Sequence, residues 1–371
     1  MLLSALPTPQ VVIDRRRLLA NIERAQQLAN SAGLKLRPHA KTHKSPLIAR
    51  WQVERGAVGV CCAKLGEAEI FVAAGIDSIR LPYPIQPSNA PRLLALMDKA
   101  SISIIVDHLD VARGWSGAMQ RAGRPLDVLV KVDVGLHRCG IDPGVGALDF
   151  ITSVASMPGL RLRGLLSHAG HGYQARSEQE LCAVAATEAE ILTGLRDQVQ
   201  ASGVDLDEIS VGATPTLRFS ARQHGLTELR PGNYVYMDRT QVALRSAALH
   251  DCALTVLATV VSKPAADRII LDCGSKTLSS DQARGIAEAP GFGAILVEDG
   301  TAEDGSLTIE RLSEEHATVR VTGTTRLEPG NRVRVLPNHS CVVSNLVDVV
   351  RLVDDERVVE TLPVAARGQI T

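Results

Sequence analysis

Much of what would mark a membrane protein, a nucleic-acid binder or a disulfide-stapled protein is missing from this chain. No apolar run approaches the roughly 18 residues that a bilayer-crossing helix needs. The opening MLLSALPTPQ has no basic stretch and soon meets proline, so no signal peptide is expected. Neither sign of charge is in excess: 40 basic and 41 acidic residues leave a formal net charge of −1. Binders of nucleic acid and of anionic membranes draw affinity from a basic surface, so neither partner is expected. Aromatics are scarce, with 4 Phe, 4 Tyr and 2 Trp in 371 residues, too few for a base-stacking platform. The 7 cysteines are odd in number and form no CxxC pair, which reads as reduced thiols in a cytoplasmic protein. No GxGxxG follows a strand, so a dinucleotide site lacks its fingerprint. Internal repeats and low-complexity linkers are also lacking.

What is present is a soluble globular composition, 45% hydrophobic and 22% charged, at a length that suggests more than one domain. Residues 14–32 carry apolar positions at helical spacing, with Asp14 as a cap and Gly33 as a stop. Short apolar runs then alternate with helical patterns. The expected strands are 36–41, 58–62, 78–81, 102–106, 126–133, 160–168, 208–212 and 226–229, with helical stretches such as 66–74, 91–99 and 177–202 between them. Such alternation implies a parallel sheet with helices outside it, and eight repeats suit a (β/α)8 barrel; a doubly wound open sheet is the alternative. Past residue 250 helical periodicity gives way to ALTVLATVVS, RIILDCGS, ATVRVTG and NRVRVLP, strands divided by turn residues. We therefore expect a barrel over residues 9–249 and a mostly antiparallel β domain over 250–371, with residues 1–8 packed against the latter.

Barrel enzymes carry their chemistry at the C-terminal ends of the strands. Those ends read HAKTHK (39–44), VDVGLHRCG (132–140), SHAGHGY (167–173), GATPT (212–216) and RPGNY (230–234), so polar and Gly-rich residues crowd one face. The last two of these, GATPT and RPGNY, look like a phosphate cradle of backbone N–H and Thr hydroxyl donors, although Gly212, Pro215, Pro231 and Gly232 would also serve as plain turn residues. Lys41 ends a buried strand, where desolvation and neighbouring cations would lower its pKa and free its amine for a Schiff base. Lys64 is its local competitor, while Lys35, Lys44, Lys263 and Lys276 are expected in solvent. In PNHSC (337–341), an extended segment would put His339 and Cys341 on one face, a pair that suits zinc; a bare HxC is also what a core His beside a buried thiol looks like.

Together TPxxxID, RPHxKTHK, HAGHxY, GATPT, RPGNY, DCGxKxLSxD and PNHxC resemble the fold-type III pyridoxal-phosphate enzymes, and within them the D-serine dehydratase and D-threonine aldolase group. The resemblance runs from Pro7 to about Gly368. It implies an alanine-racemase-like barrel followed by a β domain, acting as a homodimer. It also implies that Lys41 holds pyridoxal phosphate. Gly212, Thr214, Gly232, Asn233 and Tyr234 would lie around the phosphate, and Arg138 would face the pyridine nitrogen. His168, His171 and Tyr173 would lie around cofactor and substrate. His339 and Cys341 would bind a divalent metal, zinc first, with manganese or cobalt as alternatives. In the group resembled, dehydratases carry His-x-Cys where aldolases carry a carboxylate for the thiolate. The expectation is therefore a lyase that dehydrates a small β-hydroxy-D-amino acid, D-serine or D-threo-3-hydroxyaspartate. A D-threonine or 3-hydroxy-D-aspartate aldolase is the alternative, and an amino-acid racemase, which needs no metal, is a further one.

Overall fold

The computed structural model describes residues 1–297 and 300–371. Its first sheet is parallel and eight-stranded. The strands are β2 (Lys35–Leu36), β3 (Val60–Cys61), β4 (Ser78–Leu81), β5 (Ser101–Val106), β6 (Leu126–Lys131), β7 (Leu160–Leu166), β8 (Glu208–Val211) and β9 (Glu228–Leu229). The order β2-β9-β8-β7-β6-β5-β4-β3 is cyclic in sequence. It closes into a barrel where His39 bridges Cys61 in parallel and the Cys61 N–H donates to the Pro38 carbonyl at 2.7 Å. The expected strands are all there, most of them shorter than the apolar runs that announced them.

Alternation along the strands builds two different cores. Ile79, Leu81, Val128, Val130, Ile209 and Leu229 face outward into the large cluster beneath the helices. Inside the barrel, Ile105, Leu129 and Leu166 form a small apolar plug. The rest of the interior is ionic. Glu228 meets Arg80 and, at 2.8 Å, Arg37, while the Ser210 hydroxyl donates to it at 2.6 Å and Arg80 reaches Glu208 at 2.5 Å. Burial of four charges is tolerable because each faces an opposite one.

The second sheet has nine strands: β1 (Gln10–Asp14), β10 (Leu254–Ala265), β11 (Arg268–Leu271), β12 (Ala294–Ile295), β13 (Leu307–Leu312), β14 (Ala317–Val321), β15 (Arg332–Leu336), β16 (Val349–Asp354) and β17 (Arg357–Pro363). All pairs are antiparallel except β1 with β16. The boundary read at residue 9 puts β1 with the barrel, but its backbone bonds run to β10 and β16, so it belongs to this sheet. Leu3 and Leu6 pack with Val12, Leu257 and Val353 in a small cluster of the same layer. Asp14 then caps the helix Arg15–Ser31 by accepting from the Arg17 N–H at 3.0 Å, and Gly33, at φ 67°, follows its last turn.

Two contacts latch the β layer to the barrel mouth. The Ser344 hydroxyl donates to the Thr42 carbonyl at 2.5 Å, and the Ala366 N–H donates to the Lys44 carbonyl at 3.0 Å.

Candidate active site at the barrel mouth

Strand parity carries polar side chains to the top of the barrel interior. Lys131 lies two residues past Leu129, His168 two past Leu166, and Arg230 two past Glu228, each pointing as its inner neighbour does. They meet in a cavity of about 580 Å³, a size usual for a cofactor site. Lys41, Arg138, Tyr173, Thr214, Gly232, Asn233, His339 and Cys341 line the same cavity. Nine of the residues named from the sequence thus converge, counting His168, from segments as far apart as residues 41 and 341.

Lys41 sits on a 3-10 turn, Ala40–Thr42, rather than as the last residue of a strand; β2 ends at Leu36. The turn aims its amine into the cavity. Burial lowers the Lys41 pKa; Cys341 opposes that shift and Arg138 adds to it. Lys131, 3% exposed, is lowered further, to about 7, by burial and then by Arg230. Arg230 is fixed by donating from Nε to the Ser210 hydroxyl at 2.7 Å. Nδ1 of His168 is hydrogen-bonded to the Gly212 carbonyl, which can only accept, so Nδ1 carries the proton. Burial, with Lys41 and Lys131 nearby, keeps that ring well below the usual imidazole pKa and therefore neutral.

The two glycines of the cradle answer to close protein packing. A Cβ on Gly212 would lie 2.7 Å from the Arg230 carbonyl oxygen, and one on Gly232 would lie 3.0 Å from the Thr42 hydroxyl. Thr214 accepts the Tyr234 N–H at 3.1 Å, which ties GATPT to RPGNY. Asn233 spends its amide donor on Asp238 at 2.6 Å and on Ser340 at 3.1 Å, and leaves its Oδ1 buried and unpartnered.

His339 is the extended residue before the short helix Ser340–Asn345, so Cys341 lies in a helical turn and not in the straight segment expected. The helix forms because Asp238 accepts the Ser340 N–H at 2.9 Å. The pair still converges: the ring of His339 is hydrogen-bonded to Cys341, and its Nδ1 contacts Asp281 Oδ2 at 2.7 Å. Burial alone would lower the His339 pKa, but Cys341, Asp238 and Asp281 raise it to about 10. Burial works against a thiolate at Cys341, and the hydrogen bond and charge of His339 outweigh it, lowering the thiol. An imidazole and a thiol of lowered pKa are a donor pair for a borderline-soft divalent ion, and Asp281 orients the imidazole as metal-binding His residues require. Among the described residues no group of three or more His, Cys, Asp or Glu could hold a metal, so an ion here would keep coordination positions open.

Other expected residues lie elsewhere. The ring of Tyr234 is turned away from the cavity and its hydroxyl accepts from Gln52 at 2.9 Å; only its backbone joins the cradle. Gly212 stands behind the lining, under His168. His171 is half-buried beside Gly135 and Asp133, outside the cavity wall, because the turn Gly170–Gln174 sends its neighbour Tyr173 inward instead. Lys44, expected in solvent, is buried at φ 48° and paired with Glu67 at 3.2 Å. Lys131, Arg230 and Asp281 are the residues that sequence reasoning passed over. A lysine inside the apolar run LDVLVK was the available signal for the first.

The cavity is therefore rich in cations: Lys41, Lys64, Lys131, Arg138 and Arg230 face it, while Glu67 is held by Lys44. Such a lining fits a small, multiply anionic ligand that carries a carbonyl for the amine of Lys41.

The alanine racemase N-terminal domain family matches residues 13–240, and the putative serine dehydratase domain family matches 253–353. The chain belongs to the alanine racemase-like family. This family member is 35% identical to a D-threonine aldolase of Arthrobacter sp over 99% of this chain and 94% of that one. It is 33% identical to the D-threo-3-hydroxyaspartate dehydratase of Delftia sp. (strain HT23), covering 91% and 92%. The solved structure of that dehydratase superposes with a TM-score of 0.91 at 30% identity, covering 98% of each chain, and a mutant of it is solved in a metal-free form. A D-serine dehydratase of Dictyostelium discoideum is 26% identical over 95% and 94%.

Proposed function

We propose that this protein is a pyridoxal-phosphate- and metal-dependent lyase that dehydrates a β-hydroxy-D-amino acid, D-serine or D-threo-3-hydroxyaspartate, to a keto acid and ammonia. The observation that carries the reading is the presence of Lys41 and the His339–Cys341 pair in one cavity, joined through Thr42, whose hydroxyl lies 3.2 Å from Sγ. Full-length similarity to the Delftia dehydratase supports it.

Lys41 would hold the cofactor through its amine, with Thr214, Gly232 and the backbone of Asn233 around the phosphate and Arg138 toward the pyridine nitrogen. His339 and Cys341 would hold the metal, zinc as first choice with manganese or cobalt as alternatives. When bound, the cofactor supplies an electron sink for charge at Cα and the metal a Lewis acid for the β-hydroxyl. The chain does the rest. Nζ of Lys41, its pKa lowered by burial, would be the base for the Cα proton. His168 stays neutral and spends its proton on Gly212. Tyr173 stays a phenol because burial raises it, and accepts from Gln241 at 3.3 Å at the cavity wall. We assign the barrel, residues 9–249 less β1, to the cofactor and residues 250–371 to the metal. Seven free thiols, none bridged among the described residues, suit a cytoplasmic protein, and we take it to work as a homodimer.

The second reading is an aldolase, favoured by the 35% identity to the Arthrobacter enzyme. The products separate the two. Metal- and cofactor-loaded protein given D-serine, D-threonine and D-threo-3-hydroxyaspartate should release keto acid and ammonia. Glycine and an aldehyde in their place would make it an aldolase despite Cys341.

A further inference from the structure

A second cavity, of about 320 Å³, adjoins the first. Tyr173 and His339 line both, so the two spaces meet at the metal pair. The annex is walled by Gln174, Asp238, Thr240, Asp281, Gln282 and Arg284. Its two carboxylates are already engaged. Asp238 accepts from Asn233 and from the Ser340 N–H, and Asp281 holds His339. The Thr240 hydroxyl is spent on the Asn338 carbonyl at 2.7 Å. Arg284 is different: it lines the annex with no ion pair or hydrogen bond among the described residues, and the Gln174 and Gln282 amides are equally uncommitted. The unspent groups of the annex are thus one guanidinium, which can only donate, and two amides, each with an NH2 donor beside its carbonyl acceptor.

A β-hydroxy-amino acid bound with its amine near Lys41 and its hydroxyl at His339 and Cys341 has two further groups to place, the α-carboxylate and the substituent on Cβ, and the latter shares its carbon with the hydroxyl held at His339 and Cys341. The path beyond His339 leads into the annex. We propose that Arg284, assisted by Gln174 and Gln282, forms a subsite for an anionic group on Cβ, a carboxylate, so that the preferred substrate class is the 3-hydroxy-D-aspartates rather than D-serine or D-threonine. A guanidinium and a carboxylate pair through charge-assisted, fork-shaped hydrogen bonds, which neither a hydrogen nor a methyl group on Cβ can replace. The proposal rests on the orientation given under the proposed function, with Lys41 and the metal pair at opposite ends of the reacting carbons.

Binding of two unreactive ligands tests it apart from turnover. D-aspartate and D-alanine both lack the β-hydroxyl and differ in the carboxylate. Calorimetric titration of the cofactor- and metal-loaded protein should give D-aspartate at least tenfold tighter binding than D-alanine. Arg284→Gln should abolish that preference by weakening D-aspartate alone, and Arg284→Lys should restore part of it. In turnover, the same variant should raise KM for D-threo-3-hydroxyaspartate about tenfold with little change in kcat. No preference in the wild type, a preference that survives Arg284→Gln, or equal loss for both ligands would overturn the subsite. The last result would mean that Arg284 holds the α-carboxylate. If the preference holds while neither hydroxy-amino acid is consumed, the subsite stands and the lyase reading falls.

Discussion

The hydroxyl of Thr42 lies 3.2 Å from the sulfur of Cys341, so the residue beside Lys41 touches the thiol that neighbours His339 across 299 positions of sequence. The two halves of the chain therefore share one site, and a change on either side has a defined consequence for the other.

On the proposed reading, Lys41→Ala removes the amine that would hold the cofactor. Turnover should fall by about 10³-fold or more, in line with loss of a positioned base. The long-wavelength absorbance of the loaded protein should vanish with far-ultraviolet circular dichroism unchanged. Absorbance that survives would move the attachment to Lys131, the other desolvated lysine of the cavity, or to Lys64.

The side chain of Asp281 meets the ring of His339 and has no other hydrogen bond among the described residues, which makes it a positioning residue. Asp281→Asn should weaken metal binding by about 10- to 100-fold, measured by competition with a chromogenic chelator, while cofactor absorbance stays as in the wild type. Unchanged metal affinity would show that the carboxylate does not orient the imidazole.

Lys131 links the cavity to stability. Its folded pKa, about 7, lies below the value of a free lysine. Between the two values the unfolded chain binds more protons than the folded one, so stability rises with pH across that window. Below pH 7 the burial cost is felt in full. Lys131→Met should therefore stabilise the cofactor-free protein most in acid, and the gain should shrink as pH rises toward the ordinary lysine range. Urea unfolding at several pH values measures this, and a pH-independent difference would contradict it.

Glu228 compensates the arginines inside the barrel. Glu228→Gln leaves Arg37 and Arg80 short of a charge in a place water reaches poorly, and should cost about 3–5 kcal/mol in urea unfolding. A loss below 1 kcal/mol would show that the network relaxes around the amide.

The barrel was legible because parallel strands buried on both sides spell themselves as largely apolar runs, as in LDVLVK and SISIIV. Lys41, Thr214, His339 and Cys341 were legible because they stand just past such runs or inside compact polar motifs. Three features were not. Residues 10–14 fell within the expected barrel bounds without being read as a strand, and only long-range partners, β10 and β16, put β1 in the other sheet. The turn at Ser340 depends on Asp238, 102 residues earlier, so local sequence could not bend that segment into a helix. The buried Lys131 and Arg230 are offset by carboxylates from distant segments, Glu188 on the helix Glu178–Ala201 and Glu228 inside the barrel, which no spacing rule connects.

The measurement that bears most directly on the shared site is metal removal and return. Keto-acid formation from D-threo-3-hydroxyaspartate is followed in cofactor-loaded protein before chelation, after it, and after a divalent ion is restored, with His339→Ala alongside. The expected result is a fall of about 10²-fold or more on chelation, full recovery with the metal, and no recovery in the variant, with cofactor absorbance retained throughout. Undiminished turnover in the metal-free protein would contradict a site built from both halves of the chain.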